Sequence, residues 1–206
     1  MVMELLKKKW MLVILLLSLS FALEAQINPS QIFAESYRHE SAGDYEKAIS
    51  ALSSLNGYDY HKTLRLGWLN YLSRNYEASK RYYRQAVSMA PSAIEPLLGL
   101  CYPLEAEKNG EELEKVYKEI LRLDSMNSKV NYALGNIYYY RKDFKQAEIY
   151  FDKVQRMYPF DYYSSLMSGW TKYFLGKVNE AKRLFQIVLI ISPDDQSAKE
   201  GLNLLK

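Results

Sequence analysis

Apolar residues recur at helical spacing along most of the chain, and the pattern of that spacing itself repeats. In the segment SKVNYALGNIYYYRKDFKQAEIYFDKVQRMYPFD, which begins at Ser128, large apolar side chains stand three and four residues apart in two stretches. A polar turn around Lys142 separates the stretches. Pro159 follows the second stretch and stops it, because proline cannot donate to the hydrogen-bond ladder of a helix. The segment is therefore predicted to form two helices joined by a short turn.

The next segment, which begins at Tyr162, repeats this pattern with the same length of 34 residues. Counted from the first residue of each segment, both have small residues at positions 8 and 20, a phenylalanine at position 24 and a proline at position 32. These residues are Gly135, Ala147, Phe151 and Pro159 in one segment and Gly169, Ala181, Phe185 and Pro193 in the other. Because the segments follow one another without a linker, we interpret them as consecutive structural repeats.

Three further repeats are recognisable upstream, with more substitutions. The repeat from Tyr60 keeps Gly67 at position 8 but has Ser79 at position 20, and the repeat from Ile94 has Cys101 at position 8. The first repeat matches in its second half and is slightly shorter. The five predicted helical hairpins span residues 29–59, 60–93, 94–127, 128–161 and 162–195.

The residue types at these positions have a steric explanation. Two helices approach closely only where their side chains are small, so positions 8 and 20 are predicted to form the contact within each hairpin. One hairpin cannot bury its apolar face alone, whereas stacked hairpins can. In the tail, residues 196–206, an apolar stripe follows Asp194 and Asp195, either of which can cap a helix, and this predicts a capping helix. An ordinary helical bundle would explain the apolar stripes but not the constant repeat length.

The repeat length and the residues at positions 8, 20, 24 and 32 resemble the tetratricopeptide repeat (TPR) family, and the resemblance covers residues 29–193. It implies an all-α, right-handed superhelical solenoid of about five hairpins with a C-terminal capping helix, in a single domain over residues 26–206. It also implies a protein that binds other proteins and is not an enzyme. In this family the first helix of each hairpin lines a concave groove, where positions 2, 5, 9, 12 and 13 face the ligand.

At those positions this sequence is rich in aromatic residues. Such a groove suits binding, because Tyr and Trp offer a large contact area, have few rotatable bonds and keep a polar tip. The alternative is that some of the rings only pack inside the solenoid. The ligand groove implied by the resemblance consists of Phe33, Tyr37, Trp68, Tyr71, Tyr102, Tyr132, Asn136, Tyr139, Tyr163, Trp170 and Tyr173, and His61, Leu64 and Tyr140 stand at equivalent positions.

The groove residues also bear on the kind of partner. Relatives that hold the acidic tail of cytosolic chaperones use Lys, Asn and Arg at inward positions, and here Asn136 alone matches, so that role is not supported. We predict instead an adaptor or scaffold in the cell envelope that binds a peptide or partner segment with apolar anchors. An envelope glycan such as a peptidoglycan strand, or a structural place in an envelope or secretion complex, is the alternative.

Residues 1–25 lie outside the repeats and have the features of a secretory signal peptide. Three lysines at residues 7–9 precede an apolar run, and small residues follow it, with Ala25 as the preferred cleavage site and Ala22 as the alternative. These features predict export to the periplasm of a bacterial cell. Alternatively, residues 10–23 anchor the chain uncleaved in the inner membrane, although a comfortable span takes about 20 apolar residues.

Charge and cysteine usage exclude several other classes of protein. The formal net charge is +3 and the basic and acidic residues are interleaved, so the sequence has no basic face and nucleic acid is not an expected partner. Cys101 is the single cysteine of the chain, so no intrachain disulfide can form. Its place at position 8 of a repeat predicts a small residue buried between helices.

The sequence offers little for catalysis. His39 and His61 have no second ligand at metal-binding spacing. The acidic residues between Glu105 and Glu114 straddle a predicted turn around Asn109 and Gly110, and we interpret them as a solvated turn and helix start rather than as a metal site or an acid–base pair. Nucleotide-binding and nucleophile motifs are absent from the sequence. We therefore expect no catalytic residue, no metal and no cofactor.

Overall fold

The computed structural model describes residues 28–206, and in this part of the chain all regular structure is helical. The predicted signal peptide, and the alternative membrane anchor, lie outside the described residues. A short 3-10 segment, Leu52–Ser54, extends the second helix. The eleven α-helices of residues 28–206 are α1 (Pro29–Ser41), α2 (Tyr45–Ala51), α3 (Asp59–Leu72), α4 (Tyr76–Met89), α5 (Glu95–Ala106), α6 (Gly110–Leu123), α7 (Ser128–Tyr140), α8 (Phe144–Met157), α9 (Tyr162–Phe174), α10 (Val178–Ile191) and α11 (Gln196–Leu204).

The helices divide into two compact units, one ending at Met89 and the other beginning at Ala90. In its described part, the first unit contains α1 to α4, and the second unit contains α5 to α11. Consecutive helices pair as antiparallel hairpins, each corresponding to one sequence repeat, and α11 follows the last pair. The all-α helical-repeat fold and the C-terminal helix predicted from the sequence are therefore confirmed.

Asparagine and aspartate side chains define where most of these helices begin. The Asp161 carboxylate accepts a hydrogen bond from the backbone N–H of Ser164 at 2.8 Å, at the start of α9. Asp195 does the same for Ala198 at 2.7 Å, which identifies it as the N-cap of α11. Such a cap satisfies an N–H group that has no partner inside the helix. The predicted capping of the tail by one of two aspartates is therefore settled in favour of Asp195.

The turn inside each hairpin places the residue at position 15 in the left-handed backbone region. The φ angles there are 78° at Gly43, 62° at Arg74, 57° at Lys108, 61° at Lys142 and 71° at Gly176. A left-handed residue reverses the chain after a helix, and glycine adopts this conformation without steric cost. In the third hairpin the sequence suggested a turn around Asn109 and Gly110, whereas Lys108 makes the turn and Asn109 already caps α6.

Small residues stand at positions 8 and 20 of every hairpin except the third, where Leu113 occupies position 20. A Cβ atom added at Gly135 would lie 2.5 Å from the Phe151 ring, so a larger residue there would force the ring to move. Where position 20 is serine instead of alanine, its hydroxyl is used: Ser79 Oγ donates to the carbonyl oxygen of Gly67 at 2.8 Å. Ser36 Oγ at position 8 of the first hairpin likewise donates to the carbonyl oxygen of Ala48 at 2.9 Å, so both serines are accommodated by hydrogen bonds across the hairpin contact.

Cys101 occupies the glycine position of the third hairpin and is buried. Its thiol donates to the carbonyl oxygen of Leu97 at 3.3 Å, within its own helix. Burial raises the pKa of the thiol to about 12, so it is protonated and unreactive at neutral pH. The predicted role as a buried packing residue is confirmed.

Candidate functional site

The eleven candidate groove residues all lie on the first helices of the hairpins, and none of them is fully buried. Tyr37 and Tyr163 are exposed, with 55% and 64% of their surface accessible. The other candidates have one side packed against the protein and the rest accessible. These half-buried residues are Phe33, Trp68, Tyr71, Tyr102, Tyr132, Asn136, Tyr139, Trp170 and Tyr173.

In the first unit, the candidate rings lie beside a buried ion pair. The Arg65 guanidinium of α3 contacts the Glu40 carboxylate of α1, and it stacks 3.8 Å from the centroid of the Tyr37 ring. The Trp68 indole N–H donates to the other oxygen of Glu40 at 2.7 Å. Charge and hydrogen bonds therefore fix the Tyr37 and Trp68 rings to the protein itself.

The Arg65 side chain is 6% exposed, which makes the ion pair largely inaccessible to solvent. Its Nε atom donates to Ser36 Oγ at 3.3 Å, while Nη2 has no hydrogen-bond partner within residues 28–206. Sequence reasoning did not find this arginine, because it stands at position 6, which is not one of the family's ligand positions. The sequence feature that could have identified Arg65 is a charged residue close to Leu66 and Leu69, which are core residues of the same helix.

The second unit brings four rings that the sequence analysis placed at ligand positions together with two that were not predicted as site residues. We call this group the aromatic cluster. It consists of Tyr139, Tyr140, Phe144, Trp170, Tyr173 and Phe174. Helices α7 and α9 supply all of these residues except Phe144, which begins α8. The cluster therefore belongs mainly to two neighbouring first helices.

Ring contacts link the cluster continuously. Phe144 and Phe174 are stacked with their centroids 4.5 Å apart. Tyr139 lies 5.5 Å from Phe144 and 6.1 Å from Phe174, and Trp170 lies 6.3 Å from Phe174. Distances in this range are typical of attractive aromatic pairs. The inner rings therefore position the outer ones.

The outer rings of the cluster are accessible. Tyr140 is 77% exposed and Phe174 is 50% exposed. Phe174 stands at position 13 of its repeat, as Tyr140 does, so the family pattern could have identified it. Phe144 lies on a second helix, which that pattern does not consider.

Trp170 and Tyr173 connect the aromatic cluster to the core of the last hairpin. Both pack against the buried group that contains Phe185 and Val188. The Trp170 ring lies 5.1 Å from Phe185, and its N–H donates to Ser197 Oγ of α11 at 2.8 Å. Trp170 therefore has a structural role in addition to any binding role, and the same holds for Phe33 in the core of the first unit.

The remaining candidates of the second unit are not members of the cluster. The Tyr132 ring contacts Phe151 at 5.8 Å, and Asn136 Nδ2 donates to the carbonyl oxygen of Tyr132 at 3.1 Å, so that part of the amide is used within its own helix. Lys129 lies 5.2 Å from the Tyr102 ring. Burial raises the pKa of Tyr132, so its phenol stays protonated at neutral pH.

A buried lysine on α9, Lys172, lies on the side of that helix opposite the aromatic cluster and holds it to neighbouring helices. Lys172 Nζ donates to Glu148 at 2.5 Å and to Asp152 at 3.0 Å, and it pairs with Glu180 at 3.2 Å. Burial lowers the pKa of Lys172, but hydrogen bonds to these carboxylates outweigh burial and raise it. The lysine is therefore charged and joins α9 to both α8 and α10, which leaves the aromatic side of α9 for other contacts.

The acidic residues around the third turn have separate partners. Glu105 accepts a hydrogen bond from Tyr117 at 2.6 Å, and Glu111 accepts one from Lys115 at 2.9 Å. Glu114 contacts Lys118 at 2.7 Å and Arg141 at 2.5 Å. Within residues 28–206, His, Cys, Asp and Glu side chains do not gather in threes in a way that could hold a metal ion. In the same part of the chain, every helix is too short or too polar to span a lipid bilayer.

Antiparallel helical hairpins of constant length, with small residues at their contacts, define the class of helical-repeat proteins. Family models described as tetratricopeptide repeat match residues 128–161 and 64–92. The chain belongs to the tetratricopeptide-repeat family. No protein of curated function matches the chain by sequence.

Solved structures of repeat proteins share this fold. A tetratricopeptide repeat protein from Parabacteroides merdae is 20% identical with a TM-score of 0.69, over 85% of this chain and 71% of that one. MamA from Desulfovibrio magneticus is 15% identical with a TM-score of 0.61, over 72% of this chain and 84% of that one. A thermophilic TPR protein from Thermus thermophilus is 14% identical with a TM-score of 0.50, over 85% and 97%. At these identities the similarity extends to the fold alone.

Proposed function

We propose that this chain is a scaffold protein that binds a segment of a partner protein, and that the aromatic cluster of the second unit is its main binding surface. Tetratricopeptide repeats bind other proteins or peptides and are characteristically not enzymes, so the general class follows from the family. The cluster adds a location and a chemistry to that class.

Accessible rings held in place by packed ones are the observation that supports this location. Tyr140 and Phe174 remain 77% and 50% exposed although each neighbours other rings of the cluster. Contiguous exposed apolar groups are costly in water and mark interaction sites on soluble proteins. The outer rings pack on inner rings that are already ordered. Covering the outer rings with a ligand therefore costs little additional side-chain entropy of the protein.

The partner is a peptide segment with apolar anchors, in an extended or helical conformation. Charged side chains are not members of the cluster, so recognition depends on apolar contact, with the Tyr139, Tyr140 and Tyr173 hydroxyls able to hydrogen-bond at the rim. Burial raises the pKa of Tyr139, which keeps that phenol a hydrogen-bond donor at neutral pH. A carboxylate-bearing peptide tail has no matching clamp here.

A pair of double variants tests this surface. Tyr140→Ala with Phe174→Ala removes the two exposed rings of the cluster. Tyr158→Ala with Phe160→Ala removes a matched pair, also one Tyr and one Phe and both exposed, in the turn after α8. Tagged forms of the chain are crosslinked in cells and the captured proteins are identified by mass spectrometry. We expect partners to be lost from the cluster variant and kept by the matched pair.

Two results would overturn the proposal. Equal capture by the parent chain and both double variants would place the binding surface elsewhere. Absence of captured protein, together with a change in tryptophan fluorescence on addition of peptidoglycan fragments, would identify a glycan as the ligand instead. Circular dichroism of each variant shows whether the fold is retained.

We also propose that the chain acts in the cell envelope after export. This rests on the basic, apolar and small residues of positions 1–25. Mass spectrometry of the protein from fractionated cells is expected to find Gln26 as the first residue, in the periplasmic fraction. Recovery of a chain that begins at Met1 in the membrane fraction would favour the uncleaved anchor.

A further inference from the structure

Two Asn-Gly dipeptides occur in the chain, Asn56-Gly57 and Asn109-Gly110, and the structure gives them opposite environments. Asparagine before glycine is the sequence in which the following backbone nitrogen can most easily reach the side-chain amide carbon, because glycine has no Cβ in the way. Whether the reaction occurs then depends on whether the amide and the nitrogen are free to meet.

Asn56 lies in the exposed connection between Leu52–Ser54 and the start of α3. Gly57 is also exposed, has a φ of 74°, and would have open space around an added Cβ atom. Among residues 28–206, no hydrogen bond engages either the Asn56 side chain or the Gly57 N–H. Both reacting groups of this dipeptide are therefore accessible and unrestrained.

Asn109 is held by hydrogen bonds on both sides of its amide. As the N-cap of α6, its Oδ1 accepts from the backbone N–H of Glu112 at 3.3 Å, and its Nδ2 donates to the Glu112 carboxylate at 3.1 Å. The Gly110 N–H donates to the carbonyl oxygen of Lys108 at 2.9 Å. Hydrogen bonds therefore restrain both the side-chain amide and the attacking nitrogen of this dipeptide.

We propose that Asn56 is a site of spontaneous deamidation and that the fold protects Asn109. The Gly57 nitrogen loses its proton to solvent and bonds to Cγ of Asn56, the bond from Cγ to the side-chain nitrogen breaks, and that nitrogen takes up a proton and leaves as ammonia. Water then opens the resulting succinimide at one of its two ring C–N bonds, giving aspartate or isoaspartate. One water is consumed and one ammonia is released, without oxidation or reduction.

The modification changes the connection between the first and second hairpins. Leu55, directly before the site, is a core residue of the first unit, and Tyr58, directly after Gly57, has a φ of 55°. Isoaspartate adds a methylene group to the backbone between these two restrained residues, and either product adds a negative charge. The deamidated chain is therefore expected to be less stable in its first unit and distinguishable from the parent by charge.

Peptide mass spectrometry tests the difference between the two sites. The full chain is incubated at pH 8 and 37 °C, digested rapidly under mildly acidic conditions, and the mass gain of one amide-to-acid conversion is followed in the peptides that contain Asn56 and Asn109. A second sample is incubated in concentrated urea. In the folded chain we expect Asn56 to react faster than Asn109 by about fivefold or more, the factor that corresponds to the free energy of one N-cap. In urea the two rates should converge.

The outcomes are distinct. Equal rates in the folded chain, or a faster reaction at Asn109, would overturn the proposal. So would an unmodified Asn56 in the folded chain over a period in which the unfolded chain converts. Asn56→Gln, which lengthens the side chain and keeps the amide, should remove the conversion at this site and serves as the negative control.

Discussion

Within each unit, neighbouring first helices contact one another, and the chemistry of that contact differs between the two units. In the first unit, Arg65 and Glu40 form a buried ion pair between α1 and α3. In the second unit, Tyr139 on α7 contacts Phe174 on α9, with a centroid distance of 6.1 Å. One face is therefore specified by charge and the other by rings.

The two tryptophans at position 9 show the same contrast. Trp68 donates to a carboxylate on the preceding first helix, and Trp170 donates to a serine on the C-terminal helix α11. A buried charge needs its partner within the protein, because an unpaired one is strongly unfavourable. Aromatic contacts are less demanding, and they leave ring surface accessible. A binding surface can therefore develop where helices are joined by rings, and less readily where they are joined by an ion pair.

Removal of one partner of the ion pair should have the largest effect on stability. Glu40→Ala leaves the Arg65 guanidinium buried without its carboxylate, and we expect a loss of about 3–5 kcal/mol in the free energy of unfolding. Chemical denaturation followed by circular dichroism measures this. The double variant Arg65→Met with Glu40→Leu should recover most of the loss, because it removes the charges together. A loss below about 1 kcal/mol for Glu40→Ala would show that charge does not hold this face together, since exposed pairs contribute that little.

The ion pair also shows what the sequence could not predict. Arg65 and Glu40 are brought together by α1 and α3, and their pairing depends on how those two helices rotate against each other. A charged residue at position 6 of a repeat is equally compatible with a solvated surface. By contrast, the contact of Gly135 with Phe151 could be inferred from the sequence. Each strong repeat has glycine at position 8 and a large ring at position 24, and the missing Cβ makes room for the ring.

The candidate site was partly predictable for a similar reason. Position within the repeat identified Tyr139, Trp170 and Tyr173, because it determines which side of a first helix a residue occupies. It could not separate rings that pack on the core, such as Trp170, from rings that remain accessible, such as Tyr140. That distinction depends on neighbouring helices, and here on the Phe185 core and the α11 serine that hold the Trp170 ring.

Lowering the pH should break a charged contact in the second unit. We expect this to be the second-largest effect on the free energy of unfolding. Glu114 of α6 contacts Lys118, Tyr138 of α7 and Arg141, which directly follows α7. These contacts, the Lys118 hydrogen bond first among them, lower the pKa of Glu114 from its usual value of 4.5 to about 2. Since the folded pKa is depressed, the contact stabilises the fold fully above pH 4.5 and is lost as pH falls towards 2. We expect a loss of about 2–3 kcal/mol across that interval.

Glu114→Gln isolates this contribution. Its free energy of unfolding should be lower than that of the parent chain at pH 7, and the two curves should meet near pH 2. Denaturation measured at several pH values gives both curves. A constant difference between them at all pH values would mean that Glu114 acts through packing instead of charge. In that case the two units would differ in their charged contacts more than we propose.

Substitution of the position 8 glycines should have the smallest effect of the three and should be similar in both units, because the hairpin contact is common to them. An added Cβ would lie 2.5 Å from the Phe151 ring at Gly135 and 3.0 Å from the Tyr83 ring at Gly67. Both rings must shift, so Gly135→Ala and Gly67→Ala should each cost about 1–3 kcal/mol, with the greater cost at the closer contact.

Gly110→Ala, at the first residue of α6 with open space around the Cβ position, is the matched control and should be neutral or slightly stabilising. Thermal denaturation of the three variants compares them directly. If Gly67→Ala were as neutral as the control while Gly135→Ala was not, the units would differ inside their hairpins as well as on their first helices, and the contrast between ion pair and rings would be only one part of a larger difference in packing.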